Sequence, residues 1–217
     1  MKVEEEVFCL GRGDLEQLFG GALPQGAFIG PDPRRVLALP QAFIRRGEAE
    51  DNPAFKQLIP YQLFCFQERF FVYRRGGGVG EGRLAGRLSV GIGGHINRED
   101  AGGAHLSAAA YQAALMRERV EELVNVEGVV DRFVGWINDD ASAVGRVHLG
   151  AVHLGVMPGV EACRALGIRG EGEDIHPLGW WSMTEILAQG ERFEQWALLA
   201  VELVARMDWS PLGDSRC

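Results

Sequence analysis

Arg117-Glu118-Arg119-Val120-Glu121-Glu122 is the stretch on which the fold turns. As a helix it places Glu118, Glu121 and Glu122 at i, i+3 and i+4, on one face. Ala109, Ala113, Met116, Val120 and Leu123 form an apolar stripe stepping by four, three, four and three residues. At roughly 100° per residue the two stripes lie nearly opposite each other. The spacing therefore predicts a helix that buries the apolar stripe and displays the acidic one. Three like charges on one face repel. A solvated surface tolerates that repulsion. A hard dication such as Mg²⁺ relieves it, because it takes oxygen ligands from carboxylates and phosphates.

The segment in front of the helix favours the metal. Val90-Gly91-Ile92-Gly93-Gly94-His95-Ile96-Asn97 follows an apolar run and carries paired glycines, so it reads as a strand end turning tightly into a loop. The glycine pair followed by Arg117-Glu118 and Glu121-Glu122 resembles the signature of the Nudix hydrolases, MutT-like phosphohydrolases. In that signature a glycine strand end leads through a loop into a helix bearing Arg-Glu-U-x-Glu-Glu-x-Gly-U, where U is aliphatic. The loop here is longer than the usual pattern, and its isolated glutamate has approximate counterparts in Glu99 and Asp100. Arg119 stands where an aliphatic residue is usual, and Val124-Asn125 replaces Gly-U.

The resemblance implies an α/β (α+β) fold, an α/β/α sandwich with a mixed sheet between helical layers. It implies Mg²⁺ or Mn²⁺ held by Glu118, Glu121 and Glu122, with the Gly94 carbonyl as a further ligand. The same glutamates and Arg117 would be the catalytic residues, acting on a small, nucleotide-derived phosphorylated substrate. Helix spacing pairs Arg117 most simply with Glu121, one turn on. Arg74 and Arg75, at the end of a strand leading toward the glycine loop, are candidates for holding phosphates. His95, just after the glycines, is a third substrate-binding candidate. Glu171 and Glu173, in the acidic run Gly170-Glu171-Gly172-Glu173-Asp174, are candidates for the extra carboxylate base that a late loop supplies in several Nudix enzymes. The alternative is a catalytically silent Nudix-fold nucleotide sensor.

Beyond the motif, residues 1–55 read as an N-terminal extension packed on a Nudix domain spanning 56–217. Val7 to Leu10 is a short strand, and Asp14 caps a helix through Phe19 that Gly20-Gly21 stops. Residues 36–44 are apolar enough to be buried, and 47–53 reads as a loop. Ile59–Phe66 and Phe70–Arg75 read as strands joined by a turn at Gln67-Glu68-Arg69. Gly76 to Gly82 reads as a mobile connection. Val129–Ile137 and Arg146–Val156 are further strands, and His148 and His153 on the latter are structural histidines. Trp180 to Glu185 resembles the tryptophan-bearing entry to the second Nudix helix, and Phe193–Met207 is an amphipathic closing helix.

Composition narrows the class. A chain of 217 residues is long enough for a substantial core. No run approaches the ~20 apolar residues that span a bilayer. The start, Met1-Lys2-Val3-Glu4-Glu5-Glu6, lacks an apolar signal core, so a cytoplasmic protein is expected. A net charge of -8 argues against nucleic-acid binding, which needs a positive footprint. The scattered Cys9, Cys65, Cys163 and Cys217 form no Cys-x-x-Cys pair and read as reduced thiols. The N-terminal extension leaves a homodimer open.

Overall fold

The structure, a computed structural model, describes residues 5–76, 86–168 and 175–207. The chain runs β1 (Glu6–Gly11), α1 (Arg12–Phe19), β2 (Gly26–Phe28), α2 (Pro33–Val36), β3 (Gln41–Arg45), α3 (Arg46–Glu50) and β4 (Phe55–Phe66). Next come β5 (Arg69–Arg75), β6 (Leu88–Ser89), β7 (Gly91–Gly93), α4 (Arg98–Ala101), α5 (Ala108–Glu122) and β8 (Leu123–Val124). The remaining elements are β9 (Val130–Asn138), β10 (His148–Val156), α6 (Val160–Ala165), β11 (Gly167–Ile168), β12 (Ile175–Ser182), α7 (Met183–Leu187) and α8 (Gln195–Ala205). Strands interleaved with helices give the expected α+β class. Among the described residues no helix is long and apolar enough to cross a membrane.

The chain divides into two compact units. The first comprises Met1–Tyr61, Gly93–Arg117 and Phe133–Val152; the second comprises Gln62–Ile92, Glu118–Arg132 and His153–Cys217. In the first, β1 lies antiparallel to β3, with Cys9 opposite Ala42, and to β4, with Cys9 opposite Gln57. There β2 lies antiparallel to β9, with Ala27 opposite Ile137. Phe8, Leu10, Leu15, Tyr111, Ala114, Trp136 and Leu149 belong to its apolar core. The N-terminal residues are thus sheet members of this unit. Helix α1 ends at Gly20, whose φ of 83° is the left-handed cap that glycine adopts without strain. Gly11 caps its start and Asp14 stands in its first turn, which corrects the expectation that Asp14 is the cap. Residues 47–50, expected within a loop, belong to α3; an Arg46–Glu50 ion pair one turn apart favours it.

Lys56 on β4 is fully buried in the first unit. Its Nζ donates to Asn138 Oδ1 (2.7 Å), Asp140 Oδ1 (2.8 Å) and the Gly145 carbonyl (2.7 Å). Burial pushes its pKa down, against the pull of Asp140. These contacts fix the chain from Asn138 to Asp140 at the end of β9.

In the second unit Gln67 (φ 50°) and Glu68 (φ 59°) make a left-handed two-residue hairpin between β4 and β5, a turn whose twist matches the flanking strands. There β12 pairs antiparallel with β5, Trp180 opposite Phe71, and β6 pairs with β5, Tyr73 opposite Ser89. Ser182 and Glu185 form a capping box that starts α7 at the expected tryptophan entry. Helix α8 buries Ala197, Leu199, Ala200, Val201, Leu203 and Val204, as its apolar spacing predicts. Cys9 and Cys163 are buried free thiols.

Candidate functional site

Helix α5 is set by Ser107, whose hydroxyl accepts the Ala110 amide (3.1 Å) and whose carbonyl accepts the Tyr111 amide (2.9 Å). Its buried face is not the one the apolar spacing predicts. Met116 and Val120 are exposed, at 54% and 44%, and Ala109 and Ala113 are exposed with them. Tyr111, Ala114, Leu115 and Arg119 are buried instead. Tyr111 and Leu115 remove far more apolar area from water than the alanines of the competing stripe. At one hundred degrees per residue, Glu118 and Glu122 fall in the middle of this inward face. Both are half-buried, while Glu121 is exposed at its edge.

The inward turn of Arg119 follows from partners in the second unit. Its Nε donates to Gln62 Oε1 (2.9 Å), and its Nη2 donates to Asp131 Oδ2. Gln62 Nε2 also donates to Asp131, and the guanidinium lies 5.9 Å from the Phe64 ring centroid. Burial raises the Asp131 pKa, with Arg119 and Gln62 pulling the other way. The residue that departs from the family pattern is therefore satisfied by a buried polar cluster that sequence reasoning missed. Sequence offered no marker for it: Asp131 reads as an ordinary charge in a strand. Helix α5 ends at Glu122, and Asn125 then takes a left-handed φ of 60°. Asparagine visits that region more readily than other side-chain-bearing residues, which suits it to the end of a motif that usually carries glycine.

In the first unit the loop after the glycines is tied down from both sides. A side chain at Gly93 would put its Cβ 2.3 Å from the Pro60 carbonyl, so only glycine fits. The Phe8 amide donates to the Ile96 carbonyl (2.8 Å). Asp100 accepts Arg117 Nε (2.7 Å) and Nη2 (2.8 Å) in a bidentate pair, and its carboxylate also accepts the Asn97 amide (2.8 Å). Arg117 Nη2 further donates to the His95 carbonyl (3.0 Å). Of the two acidic counterparts in the loop, Asp100 is the one engaged; Glu99 is exposed. Arg117 thus braces this loop.

His95 turns its ring toward His148, Nε2 to Nε2 at 3.2 Å. His148 Nδ1 donates to the Val144 carbonyl (2.7 Å), and burial lowers the His148 pKa. A neutral His148 therefore offers its Nε2 lone pair, and His95 donates to it.

In the second unit Arg74 is exposed, while Arg75 is half-buried and pairs with Glu194 (2.8 Å). Successive residues of a strand face opposite ways, so Arg75 shares the face of Tyr73. The Tyr73 hydroxyl donates to the Gly91 carbonyl (2.6 Å). Burial pushes its pKa up to about 12, and the charges of Arg75, Glu194 and Glu122 all act on it. Arg75 and Glu122 thus share one electrostatic neighbourhood around Tyr73. Glu171 and Glu173 lie outside the described residues, as does most of the Gly76–Gly82 stretch.

Cavities of about 450 Å³ and 230 Å³ open in the second unit, lined among others by Arg69, Ser182 and Thr184, and by Phe66, Cys163 and Trp180. None of the expected site residues among those described lines them. The donor chemistry of α5 fits a hard dication: two half-desolvated carboxylates one turn apart repel each other, and such an ion relieves that repulsion. Among the described residues, however, no group of three or more histidine, cysteine, aspartate or glutamate side chains is already gathered to hold an ion.

No family model matches the chain. It is 36% identical over 167 residues to Protein YmaB of Bacillus subtilis (strain 168), covering 74% of this chain and 77% of that one. Among solved structures, Tm1382, assigned to the Nudix hydrolases, aligns with a TM-score of 0.71 at 25% identity, over 92% of this chain and 98% of its own. DR0079 from Deinococcus radiodurans shares the fold, with a TM-score of 0.50 at 18% identity over 84% of this chain and 98% of its own. Glycine turn, Arg117-Glu118 and Glu121-Glu122 stand on a backbone of this class, and the chain belongs to the Nudix hydrolase superfamily.

Proposed function

We propose that this protein hydrolyses a phosphoanhydride in a small, nucleotide-derived substrate, with Mg²⁺ or Mn²⁺ held by the carboxylates of α5. One observation carries the reading: Glu118 and Glu122 sit one turn apart on the inward face of α5, and Glu122 shares its surroundings with Arg75. Glu118 and Glu122 are the ion's principal holders, and Glu121, at the edge of that face, is the third carboxylate. A bound dication supplies neutralisation of phosphate oxygens and a lowered pKa for water. Arg75 contributes what the carboxylates cannot, a fixed positive charge for a phosphate oxygen. Asp100 and Arg117 keep the glycine loop from moving as the substrate enters.

Phosphate release from a panel of nucleotide sugars, dinucleoside polyphosphates, NADH, ADP-ribose and deoxynucleoside triphosphates with Mg²⁺ tests the proposal. Turnover of at least one, abolished by chelation, is expected. The exposure of Glu121 and the lack, among the described residues, of a preformed three-residue cluster favour a second reading, a nucleotide sensor. Metal-dependent nucleotide binding without turnover of any panel member would select it.

A further inference from the structure

Glu194 is a buried carboxylate to which no Nudix motif assigns a role. It lies just before α8, with only 5% of its side chain exposed. Ser89, Arg75 and Leu88 around it belong, like it, to the second unit. Its Oε1 accepts the Ser89 hydroxyl (2.5 Å), and its Oε2 meets Arg75 Nε at 2.8 Å. Its backbone amide donates to the Leu88 carbonyl (2.9 Å), and Phe193 bridges to Leu88. Ser89 Oγ accepts the Gly91 amide (3.3 Å) and the Tyr73 hydroxyl donates to the Gly91 carbonyl (2.6 Å), on the strand that continues into the glycine pair. The carboxylate is therefore locked by backbone, hydroxyl and strand, whereas its arginine partner keeps 22% of its side chain exposed. A rigid buried anion joined to a partly exposed arginine is the arrangement that aims an arginine, because ordering the long side chain in advance removes that entropy cost from ligand binding.

We propose that Glu194 is a positioning residue that holds Arg75 in place to receive a substrate phosphate. The proposal rests on the reading of Arg75 as a phosphate ligand of the Nudix site. It gives the sequence-distant start of α8 a part in substrate affinity, distinct from the carboxylates of α5. Affinity for phosphate should depend on Glu194, while the chemical step should not.

Inorganic pyrophosphate with Mg²⁺ serves as the probe, titrated calorimetrically into the parent, Glu194→Gln, Arg75→Ala and the double variant, beside thermal melts of each. Glu194→Gln should weaken pyrophosphate binding about tenfold, Arg75→Ala at least as much, and the double variant no more than Arg75→Ala alone. On any panel substrate that turns over, KM should rise while kcat stays within about threefold. Unchanged binding in a folded Glu194→Gln, or losses that simply add, would overturn the proposal, as would a fall in kcat at constant KM. Should Glu194→Gln not fold, Ser89→Ala removes the hydroxyl that holds the carboxylate but keeps both charges. It should weaken pyrophosphate binding a few-fold, and parental affinity in that variant overturns the proposal. Weakened binding in a family of variants whose parent hydrolyses nothing would defeat the hydrolase reading and leave this one standing. A parent that binds no pyrophosphate overturns this proposal, while turnover of a panel substrate by that same parent would leave the hydrolase reading standing.

Discussion

Met116 and Leu115 are neighbours on α5, one 54% exposed and the other 1%. Met116→Ala should therefore shift stability by no more than about 0.5 kcal/mol, as surface changes do. Leu115→Ala should cost about 2–5 kcal/mol, the range for emptying a core site. Denaturant melts of the two variants check this, and equal losses would mean the helix is rotated from its place here. His148 supplies a second residue-scale expectation. Burial depresses its pKa below the ordinary value of 6.5, so as pH falls through that value the unfolded chain takes up a proton that the folded chain refuses. The stability that neutral His148 supports is present above about pH 6.5 and declines below it, by at most about 1.4 kcal/mol per pH unit. His148→Gln should flatten the fall in melting temperature between pH 7 and pH 5 relative to the parent. An identical pH profile in the variant would show that His148 protonates freely in the fold.

At the scale of elements, α5 shows what the sequence disclosed and what it withheld. Its existence, its charged motif and the glycine turn before it were legible, because Gly93 has no room for a side chain and the motif residues are contiguous. Its rotation was not legible. Apolar periodicity favoured Ala109, Ala113, Met116 and Val120, but the face that wins carries Tyr111, Leu115 and a charged arginine. A buried arginine counts against burial unless its partners are known, and Asp131 and Gln62 come from other strands. Asp100 and Glu194 escaped a definite assignment for the same reason: their roles come from Arg117 and Arg75, which are distant in sequence. The Arg119 cluster makes its own prediction. Arg119→Met restores the aliphatic side chain usual in the family but leaves Asp131 and Gln62 facing each other without the cation. It should destabilise by about 3–5 kcal/mol, the cost of removing one partner of a buried pair. Adding Asp131→Leu should recover much of that loss, because a well-packed apolar replacement of both charges is often neutral. A double-mutant cycle in urea measures the coupling; additive losses would mean that the pair does not hold the helix.

For the molecule as a whole, the hydrolase and sensor readings part at Glu122. Glu122→Gln keeps shape and removes one charge from the pair on the inward face of α5. Without metal, weaker repulsion from Glu118 should leave the fold as stable as the parent or slightly more so. With Mg²⁺ the parent should melt at a higher temperature, because an ion that binds only the folded chain stabilises it by mass action. The variant should lose most of that rise. Hydrolysis of whichever panel substrate the parent accepts should fall by ~100-fold or more, since charge stabilisation of this kind is worth several kcal/mol in the transition state. These two readouts need not travel together. Loss of the Mg²⁺-dependent rise in a parent that never turns over any substrate would make α5 the metal-binding helix of a sensor. Hydrolysis at the parental rate in Glu122→Gln would remove this helix from the chemistry altogether, and the fold would then be serving a site elsewhere on the same scaffold.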